Sequence, residues 1–194
     1  MAVTDYKFAG TAAIVDRDSK PGWDNPDYAK AADASYATSK TPMKNTYSDW
    51  LLLTNFGFTS SDIPSGSTIN GIEFIINRRA SLANMIKDSA LYLYDDGAVG
   101  NNLASATNWP TNAGGIEATY GGSTNMCGTS LTQADIVAST FGVMLSVACG
   151  PSETGQGNVD YIKIRVYYTA GGGSPVFLPN IMKHNFIPPL IGGY

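Results

Sequence analysis

Apolar and polar residues alternate with a period of two wherever the chain is most hydrophobic. The clearest example is residues 158–169, where Ile162, Ile164, Val166 and Tyr168 share one side and tyrosines and basic residues occupy the other. This is the period of a β-strand that buries one face. The pattern therefore predicts a half-buried antiparallel strand.

Six further segments show strand patterns. Residues 72–76 and 141–147 alternate large apolar side chains, and residues 89–94 stop at an Asp-Asp-Gly turn signal. The other predicted strands are residues 47–55, Thr11–Val15 and the shorter 34–38. We predict one core between two sheets, formed by Ile72, Phe74, Ile76, Leu91, Leu93, Val143, Leu145, Ile162, Ile164 and Val166.

Turn-rich connections separate these strands. The longest, residues 97–131, contains clustered Gly and Asn and exceeds the length of a passive turn. Thr132 followed by Asp135 has the form of a helix N-cap with an acidic first turn, which predicts one short helical turn. Strands joined by long crossing connections are typical of jelly rolls. The predicted fold is all-β, an antiparallel jelly-roll-like β-sandwich with extended arms at both ends.

The chain divides into an N-terminal arm (1–10), a sandwich domain (11–169) and a C-terminal tail (170–194). The tail begins with a flexible Gly-rich joint, and its four prolines break any helix or central strand. Its large apolar side chains are Phe177, Leu178, Ile181, Met182, Phe186, Ile187, Leu190 and Ile191. An apolar segment that cannot fold alone must dock, so we predict that this tail is the assembly element.

The composition agrees with this class and limits the partners. The 194 residues include 21 Gly and 10 Pro, and only 14% are charged against roughly 25% in typical domains. The net charge of −4 disfavours nucleic acid as a partner, because phosphate binding needs a cationic surface. No stretch approaches the roughly 20 apolar residues of a bilayer span, and residues 1–10 lack the apolar run of a secretory signal. We therefore expect no membrane partner and synthesis in the host cytoplasm.

The sequence contains few candidates for catalytic or cofactor-binding residues. The one histidine, His184, lies in the tail, which leaves the domain without a Ser-His-Asp triad or a two-histidine zinc site. No Gly-rich phosphate-binding motif occurs, and Glu73, Glu117 and Glu153 lie in no recognisable acid–base motif. The sequence predicts no catalytic residue and no cofactor, and the protein is not expected to be an enzyme.

Four carboxylates crowd one loop: Asp16, Asp18, Asp24 and Asp27. Carboxylate oxygens are ligands for a hard cation such as calcium. The spacing does not fit a calcium-binding loop, because a lysine and a proline stand at required positions. Turn and cap roles are the preferred interpretation, and no metal site is predicted.

The chain has two cysteines, Cys127 and Cys149, on either side of a predicted strand. They have no CxxC spacing, so they carry no metal or redox signature. Two reduced, half-buried thiols are the preferred interpretation, and a disulfide between them remains the alternative.

Tryptophans supply the only candidate ligand platform. Trp50 lies in an apolar strand and is assigned to the core, whereas Trp23 and Trp109 lie in predicted loops. An exposed pair of indoles stacks well on sugar rings. The alternative function is therefore a carbohydrate- or receptor-binding module of a fibre or cell-surface protein, with a host glycan bound at Trp23, Trp109 and the long connection.

Three stretches resemble a β-sandwich domain that recurs in tailed-phage virion proteins. They are residues 63–76 (IPSGSTINGIEFII), residues 118–122 (ATYGG) and residues 131–169, which include LTQADIVASTFGVMLSV and VDYIKIRVYYT. The similarity covers roughly residues 20–169. These motifs specify a scaffold: a turn before a core strand, a capped helical turn, and the Phe141-Gly142 start of the next strand.

The resemblance implies a structural or decorating role on a virion rather than a reaction. The predicted function is a capsid decoration or accessory shell protein of a tailed phage, assembled through its C-terminal tail. Its expected partners are other copies of itself and a virion shell or tail protein, and its expected location is the virion.

Overall fold

The computed structural model describes residues 1–40 and 43–171. The strands, in chain order, are β1 (Ala2–Val3), β2 (Lys7–Phe8), β3 (Thr11–Val15), β4 (Trp23–Asp24), β5 (Ala37–Ser39), β6 (Thr46–Tyr47), β7 (Trp50–Thr54), β8 (Thr68–Ala80), β9 (Ile86–Tyr94), β10 (Ala98–Val99), β11 (Ile116–Gly121), β12 (Gly142–Cys149) and β13 (Gly157–Thr169). A 3-10 turn covers Pro26–Ala29, and helix α1 covers Gln133–Val137. No helix within these two described ranges has the length and hydrophobicity needed to cross a membrane.

The strands form two antiparallel sheets. Sheet A has the order β11-β8-β13-β5-β4, and β1 and β2 also pair with β13. Sheet B has the order β10-β9-β12-β7-β3, and β6 also pairs with β12. The long strands alternate between the sheets along the chain, because β7, β9 and β12 belong to sheet B whereas β8, β11 and β13 belong to sheet A. The predicted all-β, jelly-roll-like sandwich is confirmed.

The core lies between the two sheets and is built by the predicted alternation. All ten residues predicted to form the core have an exposed fraction of 0%. In sheet A, Ile162 pairs with Ile76 and Ile164 pairs with Phe74, so the apolar positions of β13 and β8 fall in register on the inner face. A one-residue slip would turn these side chains to the outside, so burial itself fixes the register.

The predicted helical turn is present, and its cap explains it. The Thr132 backbone N–H donates to the Asp135 Oδ2 atom at 2.7 Å, and the Asp135 N–H donates back to the Thr132 Oγ1 atom at 3.4 Å. This reciprocal capping box satisfies N–H groups that have no partner inside the helix. Ile136 is buried against the core, so the cap also closes the sandwich.

The sequence predicts a turn-rich connection at residues 97–131, and the structure has two strands there, β10 and β11. Strand β11 pairs with β8 from Ile116 opposite Arg78 to Gly121 opposite Glu73. Ala118 and Tyr120 alternate with neighbouring residues as in a strand, although the clustered Gly and Asn of this connection indicate turns. The segment predicted as an N-terminal arm supplies β1 and β2 to the edge of β13.

Candidate functional site

The predicted assembly tail lies outside the described residues. Its named positions are Phe177, Leu178, Ile181, Met182, Phe186, Ile187, Leu190 and Ile191, together with His184. The last described residue, Gly171, lies against Gly66, because a Cβ added at Gly171 would come within 2.3 Å of the Gly66 carbonyl oxygen. The tail therefore begins at the end of the sandwich that carries the turn of residues 64–67.

The expectation of an exposed tryptophan pair is wrong. Trp23 is 1% exposed and Trp109 is 2% exposed. The Trp23 Nε1–H donates to the Asp49 carbonyl oxygen at 2.9 Å, and the Trp109 Nε1–H donates to the Asp88 Oδ1 atom at 2.7 Å. Each indole closes a gap of the sandwich while a buried acceptor satisfies its N–H group, so neither ring offers a face to a sugar.

Trp50 also differs from its prediction, because it lies half-buried rather than in the core. The Arg17 guanidinium lies 4.5 Å from the Trp50 ring and 4.2 Å from the Tyr47 ring, and its Nη1 donates to Ser89 Oγ at 3.1 Å. The Tyr92 ring meets the Trp50 ring edge-on at a centroid distance of 6.1 Å, and we call Arg17, Tyr47, Trp50 and Tyr92 the aromatic patch. Because Arg17 covers a face of both Tyr47 and Trp50, this patch does not replace the lost tryptophan platform.

The most elaborate polar cluster of the described residues surrounds the buried carboxylate of Asp88. The Oδ1 atom accepts hydrogen bonds from Arg78 Nη1 at 2.5 Å and Trp109 Nε1 at 2.7 Å. The Oδ2 atom accepts from the Tyr120 hydroxyl at 2.6 Å and the Ser105 N–H at 2.8 Å. Arg78 also contacts the Tyr120 hydroxyl. We call these five residues the Asp88 node.

The Asp88 node ties both sheets and the long connection together. Arg78 and Tyr120 belong to sheet A, Asp88 belongs to sheet B, and Trp109 and Ser105 belong to the connection between β10 and β11. Burial and the adjacent Asp88 charge raise the pKa of the Tyr120 hydroxyl well above its ordinary value, so Tyr120 stays a neutral donor. Each Asp88 carboxylate oxygen accepts two hydrogen bonds from neighbouring protein groups. Asp88 is therefore a structural clamp that joins its neighbours.

Sequence reasoning missed this node, although a signal was present. Arg78 continues the inward series of Ile72, Phe74 and Ile76, and Asp88 follows Ile86 at the same spacing of two. Opposite charges at inward positions of two strands indicate a buried pair, since an unpaired charge there would be too costly.

The outer face of sheet A carries a second polar network, which we call the tyrosine–charge ladder. Its members are Tyr6, Glu73, Glu117, Tyr161, Lys163, Arg165 and Tyr167. Arg165 Nη2 lies 2.7 Å from Glu73 Oε1, and Lys163 Nζ lies 2.7 Å from Glu117 Oε1. The Lys163 ammonium and the Tyr161 hydroxyl lower the pKa of Glu117.

The ladder fastens the N-terminal segment to sheet A. Tyr6 donates its hydroxyl to Glu73, and the Arg165 guanidinium lies 4.6 Å from the Tyr6 ring. Burial and the Glu73 carboxylate raise the pKa of Tyr6. Since these charges satisfy one another, the ladder is a structural feature of the sheet surface.

The four aspartates of the predicted loop are engaged separately. Asp16 accepts from the Ser19 N–H at 3.2 Å, Asp18 accepts from the Tyr47 hydroxyl at 2.8 Å, and Asp27 pairs with Lys30 at 2.8 Å. Asp24 lies 3.6 Å from Lys40. Nowhere in residues 1–40 and 43–171 do three His, Cys, Asp or Glu side chains come together as a metal site would require.

The two cysteines are separate buried thiols rather than a disulfide. Burial raises the pKa of Cys127 to about 11, so the thiol stays protonated and unreactive at neutral pH. The preferred interpretation of reduced, packed cysteines is confirmed, although both are more deeply buried than expected.

Comparison with known proteins gives no relative: no family model, no curated protein and no solved structure matches this chain.

Proposed function

We propose that the protein is a virion-associated structural protein, a capsid decoration or accessory shell protein of a tailed phage, which assembles through its C-terminal tail. The observation that carries the proposal is the position of the motifs that resemble phage virion domains. Residues 63–76 and 131–169 provide β8, α1, β12 and β13, which build the two sheets and their closure.

The buried polar groups of the domain support a scaffold role. The Asp88 node joins the two sheets and the long connection, and the tyrosine–charge ladder joins the N-terminal segment to sheet A. Such clamps suit a protein whose task is to keep its shape while it is held in a lattice.

The tail supports the assembly step. Burying one large apolar side chain is worth roughly 1.5 to 3 kcal/mol, so eight of them favour a docked state over a solvated one. Proline-broken segments dock in extended form, and several copies on one particle add their contributions through avidity.

The experiment compares the full chain with a chain that ends at Gly171. We expect the shortened protein to melt at the same temperature, because the contacts described above all lie within residues 1–171, and to lose cosedimentation with virions of the source phage. A matched variant keeps the tail but carries Phe177→Ser, Phe186→Ser and Ile187→Ser. Undiminished cosedimentation of both variants would refute tail-mediated assembly, and absence of the protein from purified virions would refute the virion role.

A further inference from the structure

A cavity of about 480 Å³ lies at the end of sheet B where β9 begins and β12 ends. Small-molecule sites typically have volumes of roughly 300 to 1,000 Å³. The lining residues come from three chain segments, 45–47, 84–87 and 148–151, and from Asn108. We call this space the β6–β9 groove.

The middle of the β6–β9 groove has a small floor between two long side chains. Ala148 lies between Val147 and Cys149, which belong to the core, so its methyl group points to the outer face of sheet B. Tyr47 of β6 pairs with Ala148 on one side, and Lys87 of β9 pairs with it on the other. Neighbouring strands lie about 4.8 Å apart, so the backbones of Tyr47 and Lys87 are about 10 Å apart. A ring-shaped ligand fits between these two walls.

The Tyr47 wall is held in place by residues outside the groove. The Tyr47 hydroxyl donates to Asp18 Oδ2 at 2.8 Å, and the Arg17 guanidinium lies 4.2 Å from the centroid of the ring. Neither Asp18 nor Arg17 lines the groove, so these contacts orient the ring without filling the space beside it. A ligand therefore meets a tyrosine that is already ordered, which lowers the entropy cost of binding.

Three asparagines extend the groove beyond its floor. The Asn45 N–H donates to the Gly150 carbonyl oxygen at 3.0 Å, and the Gly150 N–H donates to the Met85 carbonyl oxygen at 2.8 Å. These bonds bring Asn45 next to the segment that contains Asn84, and Asn108 on the neighbouring connection completes the set. A Cβ added at Gly150 would lie 3.1 Å from Met85 Cε, so the missing side chain leaves room for the thioether. The groove thus combines amide groups with an apolar surface.

The polar groups of the lining match a particular ligand chemistry. The lining contains three amides and one ammonium group, that of Lys87, and no carboxylate. All four side chains are exposed, and the ion pairs of the described residues use other lysines, namely Lys7, Lys30, Lys40 and Lys163. An amide both donates and accepts, so it suits hydroxyl groups, whereas an ammonium group favours a carboxylate. An anionic ligand would meet no like charge in this lining.

We propose that the β6–β9 groove binds an acidic saccharide, a pyranose ring that carries a carboxylate. The ring lies over Ala148 beside Tyr47, its carboxylate pairs with the Lys87 ammonium, and its hydroxyls bond to the asparagine amides. The inference goes beyond the proposed function, because it concerns binding by the purified chain and needs neither the virion nor the tail.

The side chains of Lys87 and Asn108 carry the test. Positive φ angles of 50° at Asn45 and 59° at Asn84 already account for asparagine there, because this residue tolerates the left-handed region. Lys87 and Asn108 have no such backbone requirement, and both are exposed, so replacing them leaves the core intact. Lys44 is the matched control for charge, since it is exposed directly before Asn45 and does not line the groove.

The experiment is an NMR titration of the 15N-labelled full chain with digalacturonate, to about 20 mM at constant ionic strength. We expect saturable shifts at residues 45–47, 84–87, 108 and 148–151. Lys87→Met and Asn108→Ala should each weaken binding by roughly tenfold, whereas Lys44→Met should leave it unchanged. The amide spectrum of each variant shows directly whether it is folded.

Two further probes separate the sugar from its charge. Galactobiose, the neutral counterpart, should bind the native chain more weakly than digalacturonate and should not distinguish it from Lys87→Met. Acetate at the same concentration should leave the groove signals unmoved. Shifts that do not saturate, equal losses for Lys44→Met and Lys87→Met, undiminished binding by Asn108→Ala, or the same shifts with acetate would each overturn the proposal.

Discussion

The Oδ1 atom of Asp88 lies 2.5 Å from Nη1 of Arg78, and this ion pair connects one sheet of the sandwich to the other. The Asp88 side chain is 0% exposed and the Arg78 side chain is 7% exposed, so water compensates neither charge. The pair is therefore stable only while both members are present.

Replacing Asp88 by Asn should lower the free energy of unfolding by about 3 to 5 kcal/mol, because Arg78 would keep a buried charge without a counterion. The Asn amide would also point a donor at the Tyr120 hydroxyl or the Ser105 N–H. Urea titration measures the loss. Glu117→Gln, which removes the half-exposed partner of Lys163, is the control and should cost less than about 1 kcal/mol. Equal losses of unfolding free energy for the two variants would show that the Asp88 node does not stabilise the contact between the sheets.

Phe74→Ala should cost about 3 to 5 kcal/mol, since Phe74 is fully buried and its ring stacks on Tyr120 at a centroid distance of 5.3 Å. The loss combines the transfer of the ring with the cavity that remains. Ile116→Ala, at an exposed position, should change stability by less than about 0.5 kcal/mol in the same titration. A loss of unfolding free energy below about 1 kcal/mol for Phe74→Ala would show that Phe74 does not lie in the core.

Tryptophan fluorescence should separate Trp50 from the two buried indoles. We expect an aqueous quencher such as acrylamide to reach mainly Trp50, because Trp23 and Trp109 are closed off from solvent. Trp50→Phe should therefore remove most of the quenchable emission, while Trp109→Phe should leave it. Added glycans should not change the emission of Trp23 or Trp109, and a glycan-dependent shift lost in Trp109→Phe would contradict their burial.

Acid should weaken the attachment of β2 to the loop after β7. The Lys7 ammonium and the hydroxyl and N–H groups of Thr59 lower the pKa of Asp62. A carboxyl whose pKa is lower in the folded state stabilises the fold above its unfolded pKa, and this contribution disappears as the pH falls through the folded value. Asp62→Asn should thus cost up to about 1 kcal/mol at pH 7 and progressively less below about pH 4.

The measurement is thermal or urea unfolding of both proteins between pH 2 and 7. Asp5→Asn makes the same change of charge at an exposed residue of the N-terminal segment and should show a much smaller difference. A stability difference for Asp62→Asn that is constant across this range would contradict the assigned role of the Asp62 charge.

The alternation of apolar and polar residues in the sequence predicted most of the fold. The period of two placed Thr11–Val15 at its observed bounds and predicted the inward faces of β8, β12 and β13, because burial of one face fixes which residues point inward. The Thr132 cap was equally predictable, since it is a local interaction between residues three positions apart.

The tertiary structure alone decided the roles of the tryptophans, of the Asp88 node and of Ile14. Trp23 and Trp109 look like loop residues locally, whereas in the fold both rings are buried and acceptors distant in the sequence, at Asp49 and Asp88, receive their N–H groups. Ile14 lies in an apolar strand, so the sequence alone would assign it to the core. It is exposed because β3 is the last strand of its sheet. Periodicity determines which face of a strand is apolar, whereas strand order and long-range pairing determine whether anything covers it.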